Sequence, residues 1–335
     1  MRPARGLSLI ELLVALTLGA IVLGGVLRTF VASQEGYRVQ EDAARVQDSL
    51  RFAAGMLARA IRQAAFLGGV GPENVQTGFP TSPTDAPCSL AWNADPAHAL
   101  RAFDGTSRSP ATICTVGRYV AQSDILVTTF ADPDDTPTPA TYRAGSPETG
   151  SGNLFLRVLA GERGFLFDGA EQRAAAEAAL PGAAADGILE YRLRTLAWSL
   201  GHFDDPSDSL APTPTLYVCD SAARCGVRTN PQPVVGGIEQ FQVDFGIDEN
   251  ADRVAERFLP AAALTEAQWA QVLVVRVGLV ARGERHEPFG AARDFVLPGG
   301  YRHRPADDAR TPIDERRLTR RAFVETVQVR NRVRR

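Results

Sequence analysis

The spacing of apolar residues changes twice along the chain. From Leu7 to Leu27 there is no proline and no charge except Glu11. That run is long enough to cross a bilayer as a helix. Beyond Gln34 the pattern turns amphipathic without a break. Val39, Ala43, Val46, Leu50, Ala53, Leu57, Ile61 and Ala64 follow one another at intervals of three and four, which is one helical stripe. Glu41, Arg45, Asp48, Arg51, Arg59 and Arg62 lie opposite, and the glycines and proline of "LGGVGP" at 67–72 are stop signals. The pattern predicts one helix of roughly 60 residues, about 90 Å long at 1.5 Å per residue. Gly19, Gly24 and Gly25 are its expected weak points, each about 1 kcal/mol worse than alanine.

After Gly71 the period shortens to two. Residues 72–115 are rich in Pro, Ser, Thr and Asp and predict a long connection with little regular structure. Strands are predicted at 124–130, 153–159, 187–198, 215–219, 238–247 and 272–282, with a last one in "FVETVQVR". Short helices are predicted at 170–180 and at 264–271, the latter capped by Thr265, and 133–152 reads as an exposed loop. A long helix followed by antiparallel strands is an α+β arrangement, with one sheet face buried on the amphipathic half of the helix.

Glu11 is the anomaly of the first run. A lone carboxylate at mid-membrane costs on the order of 2.5–3.5 kcal/mol on insertion scales. It calls for a cationic partner, or for a glutamate that snorkels to the nearer interface. Arg2 and Arg5 precede the run, so the positive-inside tendency puts that end in the cytoplasm and the remainder outside. An uncleaved anchor, a secretory signal cut after Ser33 and a buried core helix all fit the hydropathy alone.

Composition narrows the chemistry. The 335 residues carry a formal charge of −3, which argues against a generic nucleic-acid binder, and every one of the 36 cationic residues is arginine. Four cysteines, Cys88, Cys114, Cys219 and Cys225, form no C-x-x-C and have no paired histidines, so a zinc site is not expected. Their even number in an exported chain points to two disulfides. Sequential pairing, Cys88–Cys114 and Cys219–Cys225, is the reading taken among three connectivities. His98, His202, His286 and His303 are scattered, and no G-x-S-x-G, P-loop or H-E-x-x-H occurs, so no enzyme and no cofactor is expected. Asp248, Asn250 and Asp252 space their oxygens as a calcium loop does, but Arg253 and Leu259 stand where such a loop has glycine and glutamate; a polar turn is the alternative. Eight arginines between 316 and 335 could meet phosphate, though the interspersed Phe323, Val327 and Val329 read as a strand with a solvated face.

A short basic leader ending in Gly6, an apolar run with glutamate at its fifth position and an unbroken amphipathic continuation together resemble the N-terminus of type IV pilins and pseudopilins. The resemblance implies cleavage by a prepilin peptidase between Gly6 and Leu7, methylation of the new amine of Leu7, and pairing of Glu11 with the N-terminal ammonium of a neighbouring subunit. Leucine departs from the usual phenylalanine at that position. Loss of Arg2 and Arg5 would take the formal charge to −5. "VVGGIEQFQVDFGIDENADRV" (234–254), the Trp269 helix, "VLVVRVGLVAR" and "RRLTRRAFVETVQVRNR" (316–332) resemble PilW, a large minor pilin. Implied are a pilin-like α+β fold with long stapled loops, organised as leader 1–6, helix 7–67 (7–28 in the membrane) and a periplasmic domain 68–335. The implied role is non-enzymatic: priming assembly, in a tip complex. Implied partners are other minor pilins, the major pilin, the prepilin peptidase, the inner membrane and the assembly platform. The precursor would sit in the inner membrane with its C-terminus periplasmic, then pass to the pilus. A minor pseudopilin of type II secretion, or an anchored adhesin or DNA-binding protein, are the alternatives.

Overall fold

The computed structural model describes residues 9–78, 95–96, 99–105, 119–134, 154–159, 161–169, 172–203, 213–221, 231–286, 294–304 and 318–333. Helix α1, Leu9–Gln63, is continuous. Its 55 residues make it about 82 Å long. Gly19, Gly24 and Gly25 do not interrupt it. Ala65, in the left-handed region at φ 61°, turns the chain out of the helix. Its N–H donates to Thr129 O at 3.0 Å, and Ala131 N–H donates to Phe66 O at 2.7 Å, so the helix end is bonded directly into the first sheet.

That sheet contains β1 (Val75–Thr77), β2 (Leu100–Phe103), β3 (Ile125–Asp132), β4 (Leu154–Leu159), β5 (Arg163–Asp168), β6 (Ile188–Phe203), β7 (Thr213–Ser221) and β8 (Gln232–Gly236). Its order is β1-β5-β4-β6-β3-β2, with β7 and β8 continuing from the far half of β6. The second sheet, β10-β9-β11-β14, is built from β9 (Ile238–Ile247), β10 (Arg257–Leu259), β11 (Val272–His286) and β14 (Leu318–Gln328). β12 (Phe295–Val296) and β13 (Arg302–His303) form a separate pair. Short helices lie at Arg173–Ala179 and Glu266–Trp269; Thr265 precedes the second, its N–H and hydroxyl both donating to Gln268 Oε1 at 3.0 Å.

The α+β class and the long N-terminal helix agree with the sequence; three details differ. The strands divide into two sheets rather than one. β1 runs parallel to β5 in an otherwise antiparallel set. Within 72–115, where little regular structure was expected, the chain forms β1 and β2, the latter fully paired with β3.

One core joins the layers. Val46, Leu50, Ala53, Leu57 and Ile61 of α1 meet Phe241, Phe245, Val275, Val277 and Leu279 of the second sheet, and Leu126, Trp198 and Leu200 of the first. Burying each large aliphatic side chain contributes roughly 1.5–3 kcal/mol, and the alanines of the α1 stripe let the strands approach closely. β9 is buried along its length. Its pairing with β11 jumps from Val280–Gln240 to Ala281–Ile238, leaving Glu239 as the extra residue of a bulge. The bulge puts Ile238 and Phe241, three apart, on one face. Residues 294–304 cover the other: a Cβ on Gly278 would overlap Pro298, and Gly299 N–H donates to Asp244 Oδ2 at 2.9 Å.

Candidate assembly interface

Helix α1 has two halves of different character. From Leu9 to Val31 the apolar side chains are exposed, and none of the span long and apolar enough to cross a membrane is buried against the rest of the chain. Its hydroxyls are satisfied within the helix: Thr17 Oγ1 donates to Leu13 O (3.1 Å) and Val14 O (2.9 Å), and Thr29 Oγ1 to Gly25 O (3.0 Å). A helix that leaves no backbone group unpaired suits hydrocarbon. Glu11 is exposed in the first turn of this half. Gly6 and Leu7 lie outside the described residues.

Packing begins at Asp42, which the periodicity did not single out although it lies three residues after Val39 and four before Val46, on the stripe itself. It is 5% exposed. Its carboxylate accepts the N–H groups of Glu284 and Arg285, both at 3.2 Å, near the end of β11. At the other end of α1, Asn331 Nδ2 donates to the carbonyls of Arg62 (3.1 Å), Gln63 (3.3 Å) and Ala64 (3.0 Å). These are groups that a helix C-terminus leaves without partners. The neighbouring Arg332 Nη1 donates to Trp269 O and to Val272 O (3.4 Å), and Val329 N–H to Leu273 O (2.8 Å). The spine is thus held at Asp42 and again at its C-terminus by residues 268 positions further along the chain.

Two buried carboxylates join other parts of the domain. Asp124, at the start of β3, accepts Val243 N–H (2.7 Å) on Oδ2 and Gly105 N–H (2.9 Å) on Oδ1, tying the first sheet to the second. Burial, reinforced by the charges of Asp104 and Asp244, pushes its carboxyl up to about 7 against the two N–H bonds. Glu239, the bulge residue, meets Arg320 in a two-point pair (2.6 and 3.0 Å), with His303 Nε2 at 3.4 Å. Burial alone would raise it, but His303 and Arg320 outweigh that and bring it down to about 2.

The remaining predicted sites divide. Cys219 is buried in β7 and disulfide-bonded; Cys88, Cys114 and Cys225 lie outside the described residues. Ligand oxygens of Asp248, Asp252 and Glu256 come within 4.8 Å of one another, so Glu256 joins the expected set. The same oxygens accept the loop's own N–H groups: Arg253 N–H to Asp248 Oδ2 (2.9 Å), Val254 N–H to Asp252 Oδ1 (2.8 Å) and Glu249 N–H to Glu256 Oε2 (2.8 Å). Asn250 Oδ1 accepts Asp252 N–H at 2.9 Å. Arg253, standing where a calcium loop has glycine, adopts the left-handed conformation at φ 69°. Of the basic cluster, Arg320 and Arg332 bind the protein's own groups, while Arg316, Arg317, Arg334 and Arg335 lie outside the described residues.

Residues 1–27 match the family model described as the prokaryotic N-terminal methylation motif, and residues 204–331 match that of the type IV pilus-assembly protein W. The chain is thus similar to the type IV pilus-assembly protein W over residues 204–331 and carries the methylation motif at its N-terminal end. Members of the PilW family are structural proteins of type IV pili, not enzymes. A type IV-like pilin from Thermus thermophilus is 13% identical and aligns over 86% of this chain and 98% of its own, at a TM-score of 0.33. No curated protein matches the chain. Three features of this chain had not been read from its sequence: the Asp42 anchor, the Asn331 cap and the Asp124 joint. The first left a trace, an acid on an apolar stripe; the other two depend on partners far away in sequence.

Proposed function

We propose that this protein is a PilW-type minor pilin that primes assembly of a type IV pilus and resides with other minor pilins in a tip complex. The carrying observation is the exposed apolar half of α1, with Glu11 in its first turn, projecting from a domain that grips the other half at both ends. In this reading the prepilin peptidase cuts between Gly6 and Leu7 and methylates Leu7. The mature α1 then moves from the inner membrane, its domain periplasmic, through the assembly platform into the fibre beside the major pilin. Glu11 meets the ammonium of an adjacent subunit, which removes the cost of an unpaired charge in hydrocarbon and fixes the stagger between helices. Disulfides Cys88–Cys114 and Cys219–Cys225 staple the loops. Mass spectrometry of the protein from cell envelopes tests the reading: Leu7 at the N-terminus is the expected result. Met1 would make the chain a simple anchor, and Gln34 a secreted protein.

A further inference from the structure

β14 ends the order of the second sheet, and among the described residues no strand pairs with its outer side. The pairing with β11 runs without a shift from Val274–Gln328 to Arg282–Arg320. Val329 N–H donates to Leu273 O, so with the alternation of an antiparallel ladder Phe323, Glu325 and Val327 also point their backbone groups at β11. Those of Ala322, Val324, Thr326 and Gln328 point away. Among the described residues nothing pairs with them. The start of the same edge is guarded: Arg320 Nη1 donates to Leu318 O (3.4 Å) and Arg321 Nη1 to Arg320 O (2.9 Å). The guard stops there. From Ala322 to Gln328 the edge has no proline, no bulge and no outward-facing charge, the devices by which exposed edges avoid pairing. Val324 is 48% exposed.

We propose that this open edge, Ala322 to Gln328, is the docking site for an extended strand of a different pilin-type subunit, added to the second sheet next to β14; the proposal rests on the fibre-subunit reading above. Backbone groups supply the attraction, and alternate side chains the selectivity. The strand that fits is uncharged and β-branched opposite Ala322, Val324 and Thr326, with a carboxylate reaching the exposed Arg330. A second copy of this chain is the wrong occupant. Two β14 strands paired antiparallel are related by an axis normal to the sheet, which reverses every direction lying in it. α1 lies on that sheet, with Phe323 packed into the shared core and Arg62 Nη2 3.6 Å from Glu325. The two α1 helices would then point opposite ways and could not share one membrane. The edge runs beside the packed end of α1, where Arg62 meets Glu325, so a subunit whose helix lies alongside that end brings its own strands next to it.

Val324→Pro isolates the edge, because it deletes an outward N–H and leaves the β11 ladder whole. The full-length variant is co-produced in its own cells and recovered from detergent-solubilised envelopes. Partners are counted by mass spectrometry as subunits carrying the same N-terminal motif. The expected result is an unchanged melting temperature with at least about tenfold less co-purified partner, a difference of about 1.4 kcal/mol. In the unmodified complex, the amides of Ala322, Val324 and Thr326 exchange more slowly than in the isolated protein, a readout that needs no variant. Wild-type recovery of partners, or unprotected edge amides in the complex, overturns the proposal; so does efficient Val324→Cys self-crosslinking, which would make a second copy the occupant. Glu11→Ala separates the two readings. If it abolishes assembly while Val324→Pro does not, the edge proposal fails alone; if neither variant affects assembly, both fail.

Discussion

Asp42 and Gly283 occupy one another's space: a Cβ at position 283 would overlap the Asp42 carboxylate, which sits there to accept the N–H groups of Glu284 and Arg285. An acid on the buried stripe of α1 is therefore a fitted part, and the glycine opposite is the room it needs.

Asp42→Ala leaves two partly buried strand N–H groups without their acceptor and should cost about 1–3 kcal/mol. Gly283→Ala should cost a similar amount by displacing the carboxylate. Combined, the two should cost less than their sum, because removing the carboxylate frees the space for the new methyl. Denaturant melts of the four proteins check this, and strict additivity would mean the contact is not shared.

Asn331→Ala removes the donor that bridges three carbonyls at the end of α1. A loss of about 1–2 kcal/mol is expected, with faster amide exchange concentrated in the last turn of the helix and around Ala65. Uniformly faster exchange over the whole domain would instead indicate that the cap supports no particular element.

Asp124 and Glu239 give stability opposite slopes with pH. Glu239 is lowered in the fold from 4.5 to about 2, so its contribution is present above 4.5 and is lost as pH falls toward 2. Asp124 is raised from 3.8 to about 7, so its contribution is complete below 3.8 and is lost progressively as pH rises from there through 7. Each slope is at most about 3–4 kcal/mol in all. Melting temperature should therefore peak at about pH 4, where the two windows overlap, and fall on either side. Glu239→Gln should flatten the acid side and Asp124→Asn the neutral side.

The acidic loop has a test that does not depend on fibre assembly. Asp248→Ala should destabilise by about 1 kcal/mol with or without chelator, because Asp248 holds the turn through Asp252 N–H and Arg253 N–H. A calcium-dependent rise in melting temperature that disappears in Glu256→Gln would establish the loop as a cation site. Identical melting in calcium and in chelator would leave it a turn.

Glu11→Ala should leave the melting temperature of the domain unchanged, since Glu11 lies in the half of α1 that the domain does not cover. It should reduce entry into fibres by an order of magnitude or more, about 1.4 kcal/mol or above. Glu11→Gln should fail similarly, because the amide keeps the shape and loses the charge. Quantitative immunoblotting of sheared pili reads the outcome.

Sequence alone determined whatever depends on neighbours a few residues away. The apolar run and the stripe from Val39 to Ala64 placed α1, because a helix repeats its environment every three to four residues, while its end at Gln63 comes four residues before the expected stop after Leu67. Runs of β-branched and aromatic residues found β3, β4 and β9, which are buried on both faces, and alternation found β14, whose faces differ in burial. β1, β2, β5 and β8 escaped, being short and paired with strands that the chain reaches only after a turn or a long excursion. Tertiary structure alone decided the division into two sheets, the bulge at Glu239, the fit of Asp42 against Gly283 and the cap that Asn331 places on α1. Each of these is a contact between residues far apart along the chain, and its strength comes from burial and hydrogen-bond geometry that exist only once the layers have closed.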